Sequence, residues 1–302
     1  MLLADSLHLA LRAITAQRLR SFLTLLGIAV GIAAVILLTS IGEGIHRFVL
    51  AEFSQFGTNV IGIHPGKTKT GGSPSGLPTS ARPLSLDDAR ALASLPNVVA
   101  MTPSIWGNAE VGANGRLRRT SVYGVGPQML EVFKGKVRAG QFLPPEDADH
   151  ARALVVLGPK LKEELYGPEN ALGTRLRIGP DQFRVVGVLE AKGQFLGIDL
   201  DDTAFVPAAR ALEIFNREGL NEINLAAEEG VPSRLVADAV RERLIARHGR
   251  EDFTIITQEE MLATLSNILN VLTMAVGALG GISLLVGGVG IVTIMTIAVT
   301  ER

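Results

Sequence analysis

The 302-residue sequence contains no cysteine, few aromatic residues and almost no net charge. Without cysteine the chain can form neither a disulfide nor a thiolate metal site. A formal net charge of -1, from 29 basic and 30 acidic residues, gives no basic patch of the kind that binds nucleic acid. Hydrophobic residues make up 47% of the chain, which is enough to build a sizeable core.

Two long runs without any charged residue, 21–42 and 261–300, lie near the two ends of the chain. A bilayer core about 30 Å thick needs roughly 20 apolar residues per helix. The runs therefore predict two transmembrane helices, over residues 21–42 and 274–300. A cleaved signal peptide is the alternative for the first run, but the run exceeds a typical signal sequence and no small-x-small cleavage pattern follows it.

The first 20 residues carry Arg12, Arg18 and Arg20 against a single acidic residue, Asp5. The positive-inside rule then predicts a cytoplasmic N-terminus and a multi-pass protein of the cell (inner) membrane, with residues from about 43 to 260 on the periplasmic or extracellular side. Residues 1–20 also predict an amphipathic helix on the inner membrane surface or against a cytoplasmic partner. Its apolar face consists of Leu3, Leu7, Leu11 and Ile14.

Both helices are predicted to continue outside the membrane as stalks, over residues 43–56 and 257–273. The second begins with a capping box formed by Thr257 and Glu260. The outer part of this helix is too polar for lipid and too uncharged for open water, so we expect the stalks to pack on each other or on a second copy. The residues predicted to form the stalk contacts are Phe48, Phe53, Phe56, Leu265 and Leu269.

Small residues recur at helical spacing in both spans, which lets helix backbones approach closely. Glycine is also frequent in membrane helices in general, which is the alternative explanation. The glycines predicted to pack helices are Gly27, Gly31, Gly277, Gly281, Gly287, Gly288 and Gly290.

The intervening residues 57–256 predict a two-lobed α+β extracytoplasmic domain with a β-α-β unit at each end. The first unit comprises a strand at 59–63, a helix at 85–95 capped by Ser85, and a strand at 98–102. The last comprises a strand at 222–226, a helix at 232–248 ended by Gly249, and a strand at 253–256. Between them, a β-rich insert lobe covers about 128–215, with strands at 153–157, 174–178 and 183–189.

Candidate chemical sites are weak. Residues 65–68 imitate the end of a phosphate-binding loop, but Ile61 stands where its first glycine is needed. Asp199, Asp201 and Asp202 resemble a calcium loop but lack its central glycine, so a solvated turn is favoured. The five histidines show no metal-ligand spacing, and no catalytic motif is present. We expect no catalytic residue, no bound cofactor and no metal site in this chain.

Several motifs resemble the MacB/FtsX-type permeases of ABC transporters, and the MacB branch in particular. The resemblance covers essentially the whole chain. It rests on Arg18–Ile28 continuing to Val35, on Phe56–Val60 with His64–Gly66, on Leu157-Gly158, Gly173, Val185–Val188, Asp201-Asp202 with Pro207, and on Arg247–Phe253. It also rests on Ile282–Ile291 and on the terminal Val299–Arg302, which resembles the start of the cytoplasmic coupling segment, at Glu301 and Arg302.

The resemblance implies a permease subunit that couples ATP hydrolysis on a separate ATPase chain to efflux or release of substrate outside the membrane, through motion transmitted by the stalks. ATP and magnesium would then bind the cognate ABC ATPase, and this chain would not be an enzyme. The partners implied are that ATPase, a second permease copy in a homodimer or related heterodimer, a membrane-fusion adaptor protein, an outer-membrane channel and the lipid bilayer. No nucleic acid is expected.

Two departures from the family pattern, and two alternative functions, remain at this stage. Val292-Thr293 replaces a common "MN" pair, and the family continues beyond "TER" into a coupling helix and two further spans, so we expect this chain to be a truncated or partial permease. One alternative is a two-span membrane sensor, since a large outer domain between two spans is also typical of receptors. The other is an FtsX-like regulator of cell-wall hydrolases.

Overall fold

The computed structural model describes residues 18–56, 59–66, 82–145, 151–195 and 198–300. These residues form two units. One is helical and comprises the described residues up to Leu50 together with those from Leu262 onward, and the other runs from Ala51 to Met261. We refer to the second unit as the sheet domain.

The helices are α1 Arg18–Phe56, α2 Leu86–Ala93, α3 Met129–Val132, α4 Pro159–Tyr166, α5 Ala208–Ile214, α6 Ser233–His248 and α7 Gln258–Thr300. The strands are β1 Val60–Pro65, β2 Val98–Ala113, β3 Arg116–Val125, β4 Val137–Gly140, β5 Leu154–Leu157, β6 Arg175–Ile178, β7 Asp181–Leu189, β8 Gln194–Phe195, β9 Ile198–Asp199, β10 Thr203–Pro207, β11 Glu222–Ala227 and β12 Phe253–Thr257. The predicted α+β class is confirmed.

Helices α1 and α7 expose apolar side chains to their surroundings. Two stretches within them, Ala29–Phe48 and Gln258–Ile282, are long and apolar enough to cross a membrane. A helix that is apolar all round is stable only inside a large core or a bilayer, and these stretches are not buried in the protein. Both stretches lie nearer the sheet domain in sequence than the predicted spans, so the boundary between span and stalk stays a prediction. More than half exposed are Phe22, Val30, Ile36, Val271, Met274 and Leu285.

Hydroxyl groups in the two helices satisfy backbone carbonyls of the same helix. Thr39 donates to the Val35 carbonyl at 2.9 Å, and Thr273 donates to the Leu269 carbonyl at 2.8 Å. Thr293 makes the same bond to Val289 at 2.8 Å. A hydroxyl bonded in this way needs no water, which is the condition for threonine in a lipid-exposed helix.

The sheet domain is organised around one mixed sheet of ten strands, in the order β12-β1-β11-β2-β3-β10-β5-β7-β4, with β6 paired to β2 and β7. Strands β3 and β10 are parallel, as are β5 and β7, and the other pairs are antiparallel. Strand β10 lies within the predicted insert lobe, 128–215, yet pairs with β3 outside it, so both parts of the domain share one sheet.

One face of the sheet packs on helices and forms the larger core. Alternate residues of the strands, including Ile61, Ile105 and Leu225, are completely buried against α2, α4 and α6. Helix α6 contributes Val236, Val240 and Leu244 and ends, as predicted, at Gly249, which has the left-handed conformation with φ 78°. The residues that alternate with these core positions face the other side of the sheet, where they line a cleft.

Candidate functional site

The cleft has a volume of about 500 Å³ and lies within the sheet domain. This volume is in the range of small-molecule binding sites. Its walls come from every second residue of the central strands, because successive side chains of a strand point to opposite faces. Thus β1 contributes Gly62 and His64, β11 contributes Glu222 and Asn224, and β2 contributes Trp106. Helix α3 and the segment after β7 complete the cleft.

Aromatic side chains from three neighbouring strands form the middle of the cleft. The ring centroids of Trp106 and Tyr123 are 6.4 Å apart, and those of Tyr123 and Phe205 are 5.8 Å apart with the rings stacked. Burial raises the pKa of Tyr123, so its hydroxyl stays protonated at neutral pH. The wall is accessible from the cleft mainly at Trp106, which is 37% exposed, and at the half-buried Tyr123, whereas Phe205 is 2% exposed and lies behind them.

A histidine and a glutamate meet at one end of the cleft, which we call the acid end. His64 Nε2 lies 3.5 Å from Glu222 Oε1, one position beyond the pair Ile63 and Ile223 in the β1–β11 ladder. Burial raises the pKa of Glu222 to about 7, although a hydrogen bond from Asn224 acts in the opposite direction. Burial also lowers the pKa of His64. Near neutral pH the imidazole is therefore uncharged while the carboxyl group is close to half ionised.

Glycine at position 62 makes room for this pair. A methyl group on Gly62 would lie 2.7 Å from Glu222 Oε1 and 3.3 Å from His64 Nε2, closer than normal contact. Asn224, which supports the carboxyl group, is itself fixed by donating to Ser104 Oγ at 3.2 Å. The acid end is thus a built arrangement in which backbone, amide and hydroxyl groups hold two ionisable side chains together.

Basic residues line the opposite part of the cleft. Burial lowers the pKa of Lys192 to about 8, and its ammonium group donates to the Phe133 carbonyl. The backbone around Lys192 is fixed by Asp201, whose carboxylate accepts from the amides of Lys192 at 2.8 Å and Gly193 at 3.1 Å. Lys136 lines the same part. The cleft therefore runs from an acid end, across an aromatic wall, to a basic end.

The three aspartates considered for a calcium loop have other roles. Asp199 forms an ion pair with Lys160 at 2.6 Å, and that hydrogen bond holds the pKa of Asp199 below its ordinary value. Asp202 is bound by Arg118 at 2.5 Å. Asp201 accepts from backbone amides, so the carboxylate of each of the three aspartates already has a hydrogen-bond or ion-pair partner. The three aspartates therefore stabilise the loop that contains them. Within the described parts of the chain, no group of three or more histidine and acidic side chains could hold a metal ion.

The Arg247–Phe253 motif builds a buried polar network on the helical side of the sheet. Asp88 is fully buried and accepts from Arg247 Nε at 2.7 Å and lies 3.2 Å from His248 Nε2. His248 Nδ1 lies 2.7 Å from Asp252 Oδ1. Burial alone would raise the pKa of Asp88, but the hydrogen bonds from Arg247, Ser85 and His248 outweigh it and lower the pKa to about 2. Ser85 caps α2 as predicted, with Asp88 completing a capping box.

The predicted helix-packing glycines are distributed unevenly. A methyl group on Gly280 would lie 3.2 Å from Val35 Cγ2 and 3.7 Å from the Gly31 carbonyl oxygen, so α1 and α7 approach closely there. Gly31 was predicted, whereas Gly280 was not. Added methyl groups at Gly277, Gly281 and Gly288 would meet no atom within 4 Å, so their packing role stays a prediction. The described side chains do not include Gly27, Gly287 or Gly290.

The predicted stalk and coupling residues are only partly described. Phe48 is 56% exposed, whereas the side chains of Phe53 and Phe56 lie outside the described set. Leu269 contacts the position of Gly42, where a methyl group would be 3.7 Å from Leu269 Cδ2, and Leu265 is half-buried. Thr257 and Glu260 form the predicted capping box, with bonds of 3.3 and 3.2 Å. Glu301 and Arg302, and the predicted N-terminal helix, lie outside the described residues.

The cleft was not predicted from the sequence. His64 and Glu222 are far apart in sequence and meet only because β1 pairs with β11. Trp106, the single tryptophan of the chain, could have indicated the cleft. It lies in a segment that alternates polar and apolar residues, and a tryptophan in such a strand is typical of a binding surface. No local sequence pattern around Lys192 predicts that its side chain is partly buried.

The mixed-sheet domain and the two long apolar helices that flank it in sequence define the class of protein. It is a membrane protein that carries a large extramembrane domain between two apolar helices. Comparison with known proteins then gives the family. A profile of the MacB-like periplasmic core domain matches residues 21–243, and the chain belongs to this family. It is a MacB-like permease of the ABC transporter class, with an extracytoplasmic domain held at the inner membrane, as predicted.

Three relatives illustrate the match. The macrolide export ATP-binding/permease protein MacB of Hyphomonas neptunium is 34% identical over 302 residues, which is 99% of this chain and 46% of that protein. The pyoverdine export ATP-binding/permease protein PvdT of Pseudomonas entomophila is 34% identical over 305 residues, again 99% of this chain and 45% of that protein. The chain thus spans slightly less than half the length of these relatives. The crystal structure of the periplasmic region of MacB from Actinobacillus actinomycetemcomitans shares the fold, with a TM-score of 0.61 at 24% identity, covering 72% of this chain and 98% of that one.

Proposed function

We propose that this chain is the N-terminal permease part of a MacB-type ABC transporter, in which ATP hydrolysis on a partner ATPase drives efflux or release of substrate outside the membrane. The ATPase would supply the ATP-binding function that the relatives' names include, and would bind ATP and magnesium. A second permease copy, an adaptor and an outer-membrane channel are the further partners in this proposal. Glu301 and Arg302 would begin the segment that meets the ATPase.

The observation that carries the proposal is the way the two helices join the sheet domain. Helix α1 leads into β1, and α7 begins at Gln258, directly after β12 ends at Thr257. Strands β1 and β12 are hydrogen-bonded neighbours over five residue pairs. The capping box of Thr257 and Glu260 fixes the start of α7 to the end of β12. In this proposal, motion of either helix is passed to this same pair of strands.

This junction provides the test. Inserting Gly-Ser-Gly-Ser between Thr257 and Gln258 in the complete transporter is expected to abolish substrate efflux while the partner ATPase still hydrolyses ATP, because a flexible linker absorbs the motion. Efflux is measured as macrolide resistance of the host and as transport into or out of vesicles. The control is the same insertion after Gly230, an exposed turn between β11 and α6. Full efflux with the junction insertion would contradict the proposal.

The membrane topology is a second prediction. We expect the N-terminus to be cytoplasmic and residues from about 43 to 260 to be external, because the arginine excess lies before the first span. The chain has no native cysteine, so single Ser6→Cys and Ser73→Cys variants give clean labels. In intact spheroplasts an impermeant thiol reagent is expected to label only Ser73→Cys. Labelling of Ser6→Cys would reverse the assignment.

A further inference from the structure

The cleft of the sheet domain has the chemistry of a binding site for one kind of small molecule. We propose that it binds an amphipathic organic amine, whose ammonium group pairs with Glu222 and whose apolar body packs on Trp106 and Tyr123. The proposal does not depend on coupling to an ATPase, because binding is a property of the sheet domain alone.

The first step is the charge at the acid end. Glu222 is an acidic group on the cleft surface, and its neighbour His64 is 3.5 Å away and uncharged at neutral pH. No lysine or arginine ion pair to Glu222 is present among the residues that the structure describes. An ammonium group placed here would convert a desolvated carboxyl group into a charge-assisted hydrogen-bonded pair.

The second step is the apolar wall next to it. Ser104 lies directly opposite Glu222 in the β2–β11 ladder. Trp106 is two residues further along β2, on the same face of the sheet as Ser104. Tyr123 then pairs with Trp106 across β2 and β3. An amine bound at Glu222 would thus find aromatic rings on the adjacent strands, which suit both apolar contact and cation–π attraction.

An independent observation comes from the end of the cleft near β12. Gln258 lines the cleft, and its side-chain oxygen is the one buried polar side-chain atom without a hydrogen-bond partner in the described structure. A buried acceptor left without a donor is unfavourable, and such atoms are rare in folded proteins. Two parts of the cleft therefore offer acceptors to a ligand that brings N–H donors.

The single tryptophan makes the test direct, because all indole fluorescence comes from the cleft. The full chain in detergent micelles is titrated with 4-iodobenzylamine, 4-iodobenzyl alcohol and 4-iodobenzoate, which are a cation, a neutral analogue and an anion with the same heavy-atom quencher. We expect saturable quenching by the amine, at a half-saturating concentration roughly tenfold or more below that of the alcohol, from the strength of a charged hydrogen bond. The benzoate is expected to bind no better than the alcohol.

Two variants locate the effect. Glu222→Gln keeps the size of the side chain and is expected to bring the amine to the affinity of the alcohol. Glu229→Gln removes an exposed acid that does not line the cleft and is expected to leave amine binding unchanged. The comparison of amine and alcohol on the unmodified chain stays decisive even if a variant folds poorly.

Binding should also depend on pH in a defined direction. A bound cation favours the ionised form of Glu222, so amine affinity is expected to rise between about pH 6 and pH 8, while the amine itself stays charged. The other titratable groups of the cleft are His64, Tyr123, Lys136, Glu190, Lys192 and Asp201. Loss of charge from Lys192 near its pKa of about 8 acts in the same direction, and Glu222→Gln separates the two because only the Glu222 contribution disappears. Equal affinity for amine and alcohol, or an unchanged amine affinity in Glu222→Gln, would overturn the proposal.

Discussion

Replacement of Asp88 by alanine is expected to destabilise the sheet domain by ~3 kcal/mol, because the buried His248 ring and the Arg247 guanidinium, which is 35% exposed, lose their common acceptor. Asp88 is fully buried, accepts from Arg247 at 2.7 Å and completes the capping box of α2. Thermal unfolding of the sheet domain, followed by circular dichroism, measures the change. A shift of about 10 °C is expected for a domain of this size.

The neighbouring aspartate supplies a matched control. Asp87 is 69% exposed and, among the residues that the structure describes, pairs with Arg90 on the same helix, so Asp87→Ala should alter the free energy of unfolding by less than about 0.5 kcal/mol. Equal losses for Asp87→Ala and Asp88→Ala would mean that α2 helix propensity, and not the buried network, sets the stability.

The buried network around Asp88 also makes the stability of the sheet domain depend on pH in a defined direction. Hydrogen bonds lower the pKa of Asp88 from 3.8 to about 2, so the folded state binds the proton less tightly than the unfolded state. The stabilisation is therefore complete above pH 3.8 and is lost as the pH falls towards about 2. The difference in stability between the unmodified domain and Asp88→Asn is expected to narrow over that interval. A difference that stays constant with pH would show that Asp88 acts by packing alone.

A disulfide between the two membrane helices is the second large expected effect. Cysteines at positions 35 and 280, introduced as Val35→Cys and Gly280→Cys, are expected to cross-link readily under mild oxidation, because a methyl group at 280 already lies 3.2 Å from Val35 Cγ2. The chain has no other cysteine to compete. Proteolysis within the sheet domain separates the helices, and non-reducing electrophoresis then shows whether the fragments remain joined.

The control for this experiment differs by a single position. A methyl group at Gly281 would meet no atom within 4 Å, so Val35→Cys with Gly281→Cys should give little product. Efficient cross-linking of both pairs would indicate a mobile helix pair in place of the close contact at Gly31 and Gly280.

Elements with strong local signals were predicted well at both ends of the sheet domain and within the insert, where the strands predicted at 153–157, 174–178 and 183–189 correspond to β5, β6 and β7. Strong local signals, such as the Ser85 cap, the Gly249 terminus and the Thr257–Glu260 box, gave helix boundaries that the structure confirms within a few residues. The β2–β3 hairpin was missed although Asn114-Gly115, both with positive φ, is a strong hairpin signal. That omission shortened β2 from Val98–Ala113 to five residues and left β3 unassigned.

The candidate site depended on contacts that no local pattern encodes. In the sequence, Gly62 is an ordinary strand glycine. Only the pairing of β1 with β11 shows that a methyl group on Gly62 would lie 2.7 Å from Glu222 Oε1. Likewise the spacing of four residues from Gly277 predicted Gly281 as a packing position, but the structure places Gly280 against Val35 and Gly31 of α1. Local propensity specifies the elements, whereas long-range pairing decides which side chains meet.

The position of β1 in the sheet has a consequence for how the protein is made. Strand β1 is the first of the sheet domain to leave the ribosome, yet both of its hydrogen-bonded neighbours, β11 and β12, are among the last. Such long-range closure is slow and leaves unpaired strand edges exposed during synthesis. We therefore expect the domain to complete its folding only after nearly all of it has been translocated, and to depend on folding assistance on the far side of the membrane during that interval.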